Sequence, residues 1–109
     1  MTDKELLELA AKAAGIKLRW WDNGRNGFRV CNDTGSVCKR LHWNPIEDDR
    51  DALRLAVKLG INVAPGTATN RFSVAHGCSQ VLEERKPDKY AATRRAITRA
   101  AAEIGKAMP

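Results

Sequence analysis

The chain has 109 residues, of which 43% are apolar and 29% charged. That balance predicts one globular domain over 1–109 with a modest core, and it excludes a disordered chain. The formal net charge is +6, which favours acidic partners, and no apolar run is long enough to span a membrane.

Thr2 to Glu5 has the form of a capping box, and Leu6, Leu9, Ala10, Ala13 and Ala14 follow at helical spacing up to Gly15. This predicts a helix over 3–14, closed by a glycine at the position that favours a left-handed backbone. Ile16 to Trp20 alternates as a half-buried strand, with Ile16, Leu18 and Trp20 facing the core. The turn-rich run 22–27 separates it from Phe28–Cys31, and a second turn over 32–36 leads to a third strand ending at Trp43. Asn44-Pro45 breaks the sheet, because proline cannot donate to a ladder. Asp48 and Asp49 open a second helix over 49–59, with Ala52, Leu53, Ala56 and Leu59 as its buried stripe and Gly60 as its stop. Short strands are expected at 61–63, 71–76 and 80–85. A last helix runs over 90–107, with an apolar stripe of Tyr90, Ile97, Ala101, Ile104 and Met108 and a polar face of Arg94, Arg95 and Arg99.

The predicted fold class is α/β (α+β): one mainly antiparallel sheet with three packed helices, in the order α-β-β-α-β-β-α. Met1-Thr2-Asp3-Lys4-Glu5 carries no basic n-region or apolar h-region. The three cysteines give no disulfide framework. Both features lead to the expectation of a reduced, cytoplasmic protein.

Three groups could carry chemistry. Cys31, Cys38, His42, His76 and Cys78 are soft or borderline ligands, but none of their spacings is that of a zinc knuckle. They read as small thiols and surface or capping histidines, with Cys31 and Cys38 flanking a turn. Glu47, Asp48, Asp49 and Asp51 could offer oxygens to Mg²⁺. Carboxylates at a helix start more simply cap N–H groups and offset the dipole. Ser73, His76, Cys78 and Ser79 lie close in sequence, but no third group orients a base. The expectation is a protein that is not an enzyme and uses no cofactor or metal.

Three blocks resemble the small phage proteins with an alpha-beta-alpha sandwich domain, a group that includes lambdoid NinX-like proteins. The first is Leu9-Ala10-Ala11-Lys12-Ala13-Ala14-Gly15-Ile16. The second is Trp43-Asn44-Pro45 followed by Asp48-Asp49 and the Ala52–Leu59 helix. The third is Ala91-Ala92-Thr93-Arg94-Arg95-Ala96-Ile97-Thr98-Arg99-Ala100-Ala101. The resemblance spans nearly the whole chain and implies a sandwich-like fold and a phage or prophage origin in a bacterial host. The region from Trp21 to Leu41 departs from it, with a longer, cysteine-containing hairpin. Because the group is largely uncharacterised, the resemblance carries over no functional residues.

The excess positive charge is concentrated in two regions. Residues 85–109 hold seven basic and two acidic side chains, and residues 17–42 hold six and two. Trp20 and Trp21 are adjacent, so on a regular strand Trp21 shares a face with Lys17 and Arg19, opposite the core. Arg40 and His42 extend that face on the third strand. Arg19, Trp21, Arg40, Arg94, Arg95 and Arg99 are therefore the expected partner-binding residues. A face of this kind suits a protein hot spot, which is enriched in Trp and Arg. It also suits nucleic acid, through phosphate pairing and base stacking. The leading expectation is a small binding protein that occupies an acidic surface on a host protein, in the manner of an anti-CRISPR or other anti-defence inhibitor. The alternative is a nucleic-acid-binding accessory protein.

Overall fold

The computed structural model describes residues 2–22, 27–31, 40–64, 72–76, 80–84 and 88–108. The chain runs α1 (Asp3–Ala14), β1 (Leu18–Asp22), β2 (Gly27–Cys31), β3 (Arg40–Trp43), α2 (Asp49–Leu59), β4 (Asn62–Ala64), β5 (Phe72–His76), β6 (Gln80–Glu84) and α3 (Lys89–Ala107). It is a mixed α/β fold with three helices and antiparallel strands, as the periodicities predict. The described strands divide into two three-stranded antiparallel sheets, β1-β2-β3 and β4-β5-β6, where one sheet was expected. The α2 helix separates the two meanders in sequence, so each sheet pairs only neighbours in the chain.

The helix ends follow from their caps. The Thr2 hydroxyl accepts from the Glu5 N–H at 3.2 Å, and Asp48 accepts from the Arg50 N–H at 2.8 Å. Asp88 accepts from the Tyr90 N–H at 2.9 Å. These bonds satisfy N–H groups that have no partner inside the helix. Gly15 and Gly60 take φ of 70° and 65°, the left-handed conformation that closes α1 and α2.

The core joins α1, α2 and α3 to both sheets through Leu7, Phe28, Trp43, Leu55, Ile61, Ala75, Val81 and Ile97, among others. The α3 helix lies along α1 and packs its remaining sides on α2, β5 and β6. Small residues permit the close approach of α1 and α3. Ala10, Ala11 and Ala14 are buried on α1, and Ala101, Ala102 and Gly105 on α3. A methyl group at Gly105 would run into the Leu9 backbone carbonyl, whose carbon lies 2.9 Å from the position it would take.

Side-chain directions differ from the sequence expectation on the helices and on β1. Leu53 was assigned to the buried stripe of α2, yet it is 64% exposed, while Leu55 is 2% exposed. At about 100° per residue, Leu55 lies about 40° beyond Leu59 on one side of the Ala52–Ala56–Leu59 arc, and Leu53 about 60° beyond Ala56 on the other, so the buried face extends toward Leu55. Tyr90 and Met108, placed in the α3 stripe, are also exposed, because the buried side of α3 is built from alanines, Ile97 and Thr98. On β1, the pairing with β2 shifts between Leu18 and Trp20, an irregularity that breaks the alternation. As a result Leu18 and Trp21 both pack against the core, although strict alternation would set Trp21 opposite to Leu18.

Candidate functional site

Strand β1 positions Trp21, and β2 positions its partner Phe28. Their ring centroids lie 5.0 Å apart at 75°, an edge-to-face pair. One side of Trp21 is thus spent on the core. Its other side borders a cavity of about 500 Å³ lined by Thr2, Asp3, Lys4, Trp21, Asn44 and Glu47. Asn44 is buried beneath it and accepts from the Ile46 N–H at 3.0 Å and the Glu47 N–H at 3.3 Å. Arg19 and Arg40 lie on β1 and β3, but their side chains fall outside the described ones. A single hairpin face joining Trp21 to these two arginines therefore has only Trp21 to stand on.

The three arginines of α3 are all engaged within the molecule. Arg94, whose side chain is 17% exposed, donates from Nε to the Ile46 carbonyl at 2.9 Å and pairs with Asp49 at 2.7 Å. This ties α3 to the loop and first turn of α2. Arg95 pairs with Asp3 at 3.0 Å and with Glu83 at 3.5 Å. Arg99 donates to the Leu82 carbonyl at 3.2 Å and pairs closely with Glu83. Three positive charges thus face Asp3, Asp49 and Glu83, and the patch is neutral at short range. The carboxylates come from α1, α2 and β6, so the pattern of α3 alone shows the arginines and not their partners.

The carboxylates that open α2 are also committed. Asp48 caps the helix and Asp49 holds Arg94. Asp51 accepts the Asn44 N–H at 2.9 Å, which locks the Trp43–Asn44 strand end onto the helix. Burial raises the Asp51 carboxyl above its ordinary value of 3.8, against the lowering effect of the Asn44 hydrogen bond. His42, half-buried on β3, lies over Gly27, whose missing Cβ leaves room for the ring. Cys31 and His76 sit on β2 and β5, with their side chains outside the described ones, and Cys38 and Cys78 lie outside the described residues. Among the described residues, no three His, Cys, Asp or Glu side chains come together as a metal site. No described helix is long and apolar enough to cross a membrane.

The most distinctive surface was not anticipated from the sequence. Leu53 and Val57, one turn apart on α2, are 64% and 73% exposed, and Tyr90 at the start of α3 is 62% exposed. Leu53 and Tyr90 flank a groove of about 320 Å³ between α2 and α3, floored by Ala52, Val63, Thr93 and Ile97 and rimmed by Asp49 and Arg94. Within the Asp49 and Arg94 rim, its lining is mainly apolar. Along the outer side of Leu53 and Val57 run Arg50, Arg54 and Lys58, all exposed. By helical spacing these three form one contiguous basic edge. The signal available in the sequence was the i, i+4 pair Leu53 and Val57, which lies off the Ala52–Ala56 stripe and beside three basic residues.

No protein-family model matches this chain, and neither a curated protein nor a solved structure matches it.

Proposed function

We propose that this protein is a small, non-enzymatic binding protein of phage or prophage origin that acts in the bacterial cytoplasm on a host protein with an acidic surface. The biological role in this reading is anti-defence inhibition of the anti-CRISPR kind. The observation that carries the binding reading is the exposed apolar strip of Leu53, Val57 and Tyr90 beside the α2–α3 groove. Large apolar side chains clustered at a groove and edged by charge are characteristic of interaction sites, whereas scattered ones are not. The basic edge of Arg50, Arg54 and Lys58 supports an acidic partner. The phage origin and sandwich-like likeness rest on the three sequence blocks described above.

A photo-crosslinking amino acid at position 53 tests this reading in bacterial lysate. The expected result is one host protein captured specifically and competed away by unlabelled protein, with no capture from a crosslinker at exposed Glu103 on α3. Capture of nothing, or equal capture from both positions, overturns it.

The nucleic-acid reading draws on the net charge of +6 and on the basic residues of 17–42. Under it, affinity for an oligonucleotide falls steeply with salt, and each arginine that meets a phosphate contributes about one unit of slope. The pairing of Arg94, Arg95 and Arg99 with carboxylates favours the protein partner.

A further inference from the structure

We infer that the α2–α3 groove receives an amphipathic helix of the partner whose apolar face is flanked by acidic residues. This rests on the protein-binding reading above and specifies what the partner presents. Three observations define the occupant. First, the groove lies between two helices, and Leu53 and Val57 are spaced i, i+4, so the ridge they form matches the groove beside an i, i+3, i+4 row on another helix. Second, an extended peptide would need a sheet edge to add to. The strand that borders the groove, β4, spans only Asn62–Ala64 and contributes just Val63 to the lining.

Third, charge selects the flank. Arg50, Arg54 and Lys58 form an uninterrupted basic edge on one side of the apolar strip, and Lys89 stands next to Tyr90 on the other. Glutamates or aspartates beside the partner's apolar row would meet these cations at the rim, where opposite charges steer encounter and fix register. A second copy of this chain is a poorer occupant. Two molecules meeting through this strip across a two-fold axis would set Arg50, Arg54 and Lys58 against their own counterparts, and each molecule carries a net charge of +6.

The test uses the full chain and three fluorescent synthetic peptides of about eighteen residues, long enough to hold a helix. The first carries leucines at i, i+3, i+4 and i+7 flanked by glutamates. The second replaces the glutamates with lysines. The third has the composition of the first with the helical period broken. Anisotropy titrations are expected to show saturable binding of the first peptide alone. Leu53→Ala with Val57→Ala should weaken it at least about tenfold, since apolar anchors carry most of such binding. Both side chains are exposed, so this variant should keep its circular dichroism and urea midpoint. Arg50→Glu with Arg54→Glu and Lys58→Glu should transfer preference to the lysine peptide.

The proposal is overturned if the glutamate peptide does not bind, if the period-broken or lysine peptide binds as well, or if a DNA oligonucleotide displaces the bound peptide. It is also overturned if sedimentation shows a dimer that the Leu53/Val57 variant abolishes. The outcome is separable from that of the underlying reading. A host protein crosslinked at position 53 with no peptide binding leaves protein binding standing and removes the acidic helix. Peptide binding with no host protein crosslinked leaves the groove's preference for an acidic helix standing and removes the host protein as its source.

Discussion

The Gly105→Ala substitution probes the packing of α1 on α3. In an isolated helix the change would be favourable, because alanine exceeds glycine by about 1 kcal/mol in a helix interior. Here the added methyl meets backbone. It would overlap the Leu9 carbonyl, lie 2.9 Å from the carbonyl carbon and come within 3.4 Å of the Ala13 nitrogen. No rotamer change relieves a clash with main chain, so the two helices must separate. Separation loosens the contacts of Ala10, Ala14, Ala101 and Ala102, all buried at the core or beside it. Overpacking of this kind costs about 1–3 kcal/mol, and an unyielding backbone places this site toward the upper end. After the helix-propensity gain, the expected net loss is about 1–2 kcal/mol, or a fall in Tm of about 5–10 °C for a chain of this size. Urea melts followed by far-UV circular dichroism measure it, with an unchanged m-value showing that the loss lies in the folded state. Lys106→Ala, on the exposed side of the same turn, should stay within about 0.5 kcal/mol of the parent. If Gly105→Ala is as stable as the parent or more so, α1 and α3 do not approach as closely as described.

Three further predictions follow from particular contacts. Leu55→Ala should cost about 2–5 kcal/mol by leaving a cavity, while Leu53→Ala should change urea stability by less than about 0.5 kcal/mol; equal effects would contradict the placement of the α2 stripe. Asp51 has a folded-state pKa above 3.8, so in the interval between the two values the folded chain binds more protons than the unfolded chain. Its contribution to stability should therefore fall as pH rises through that interval and level off above it. Asp51→Asn, which can still accept the Asn44 N–H, should lose this component, and a parent and variant with parallel stability–pH curves would refute the assignment. Glu83→Gln removes the carboxylate shared by Arg95 and Arg99, so it should raise non-specific affinity for DNA and steepen its salt dependence. An unchanged gel-shift midpoint would show that the pairing does not restrain these arginines.

The ends of α1 and α2 were legible in the sequence because each is written by a local device: Thr2 with Glu5, Gly15, Asp48 and Gly60. The predicted spans 3–14 and 49–59 match the observed helices, and 90–107 differs from the third by one residue at its start. Strand positions were legible for the same reason, from alternation and from turn residues. The division of the strands into two sheets was not, because alternation gives the period of a strand but not its neighbours. The direction of Trp21 depended on one irregularity between Leu18 and Trp20, which no alternation pattern reports. Leu53 was misplaced because a stripe with two alanines can be drawn through either of two leucines.

The candidate site was less legible still. A count of arginines on α3 suggested a free basic surface. What neutralises it is carried by Asp3, 92 residues from Arg95, and by Glu83, 16 residues from Arg99. Pairing across such separations is set by the packing of α1 and β6 against α3, which no local pattern reports. The groove arises in the same way, where α2 and α3 meet with Val63 beneath.

Recognition of a partner through the α2–α3 groove can be read residue by residue. Methyl and aromatic NMR spectra of the full chain, recorded during titration with the glutamate-flanked helical peptide, test it most directly. The largest shifts are expected on Leu53, Val57, Val63, Tyr90 and Ile97. Shifts centred instead on Trp21, at the cavity it lines with Asn44 and Glu47, or on Leu82 beside Arg99, would contradict it.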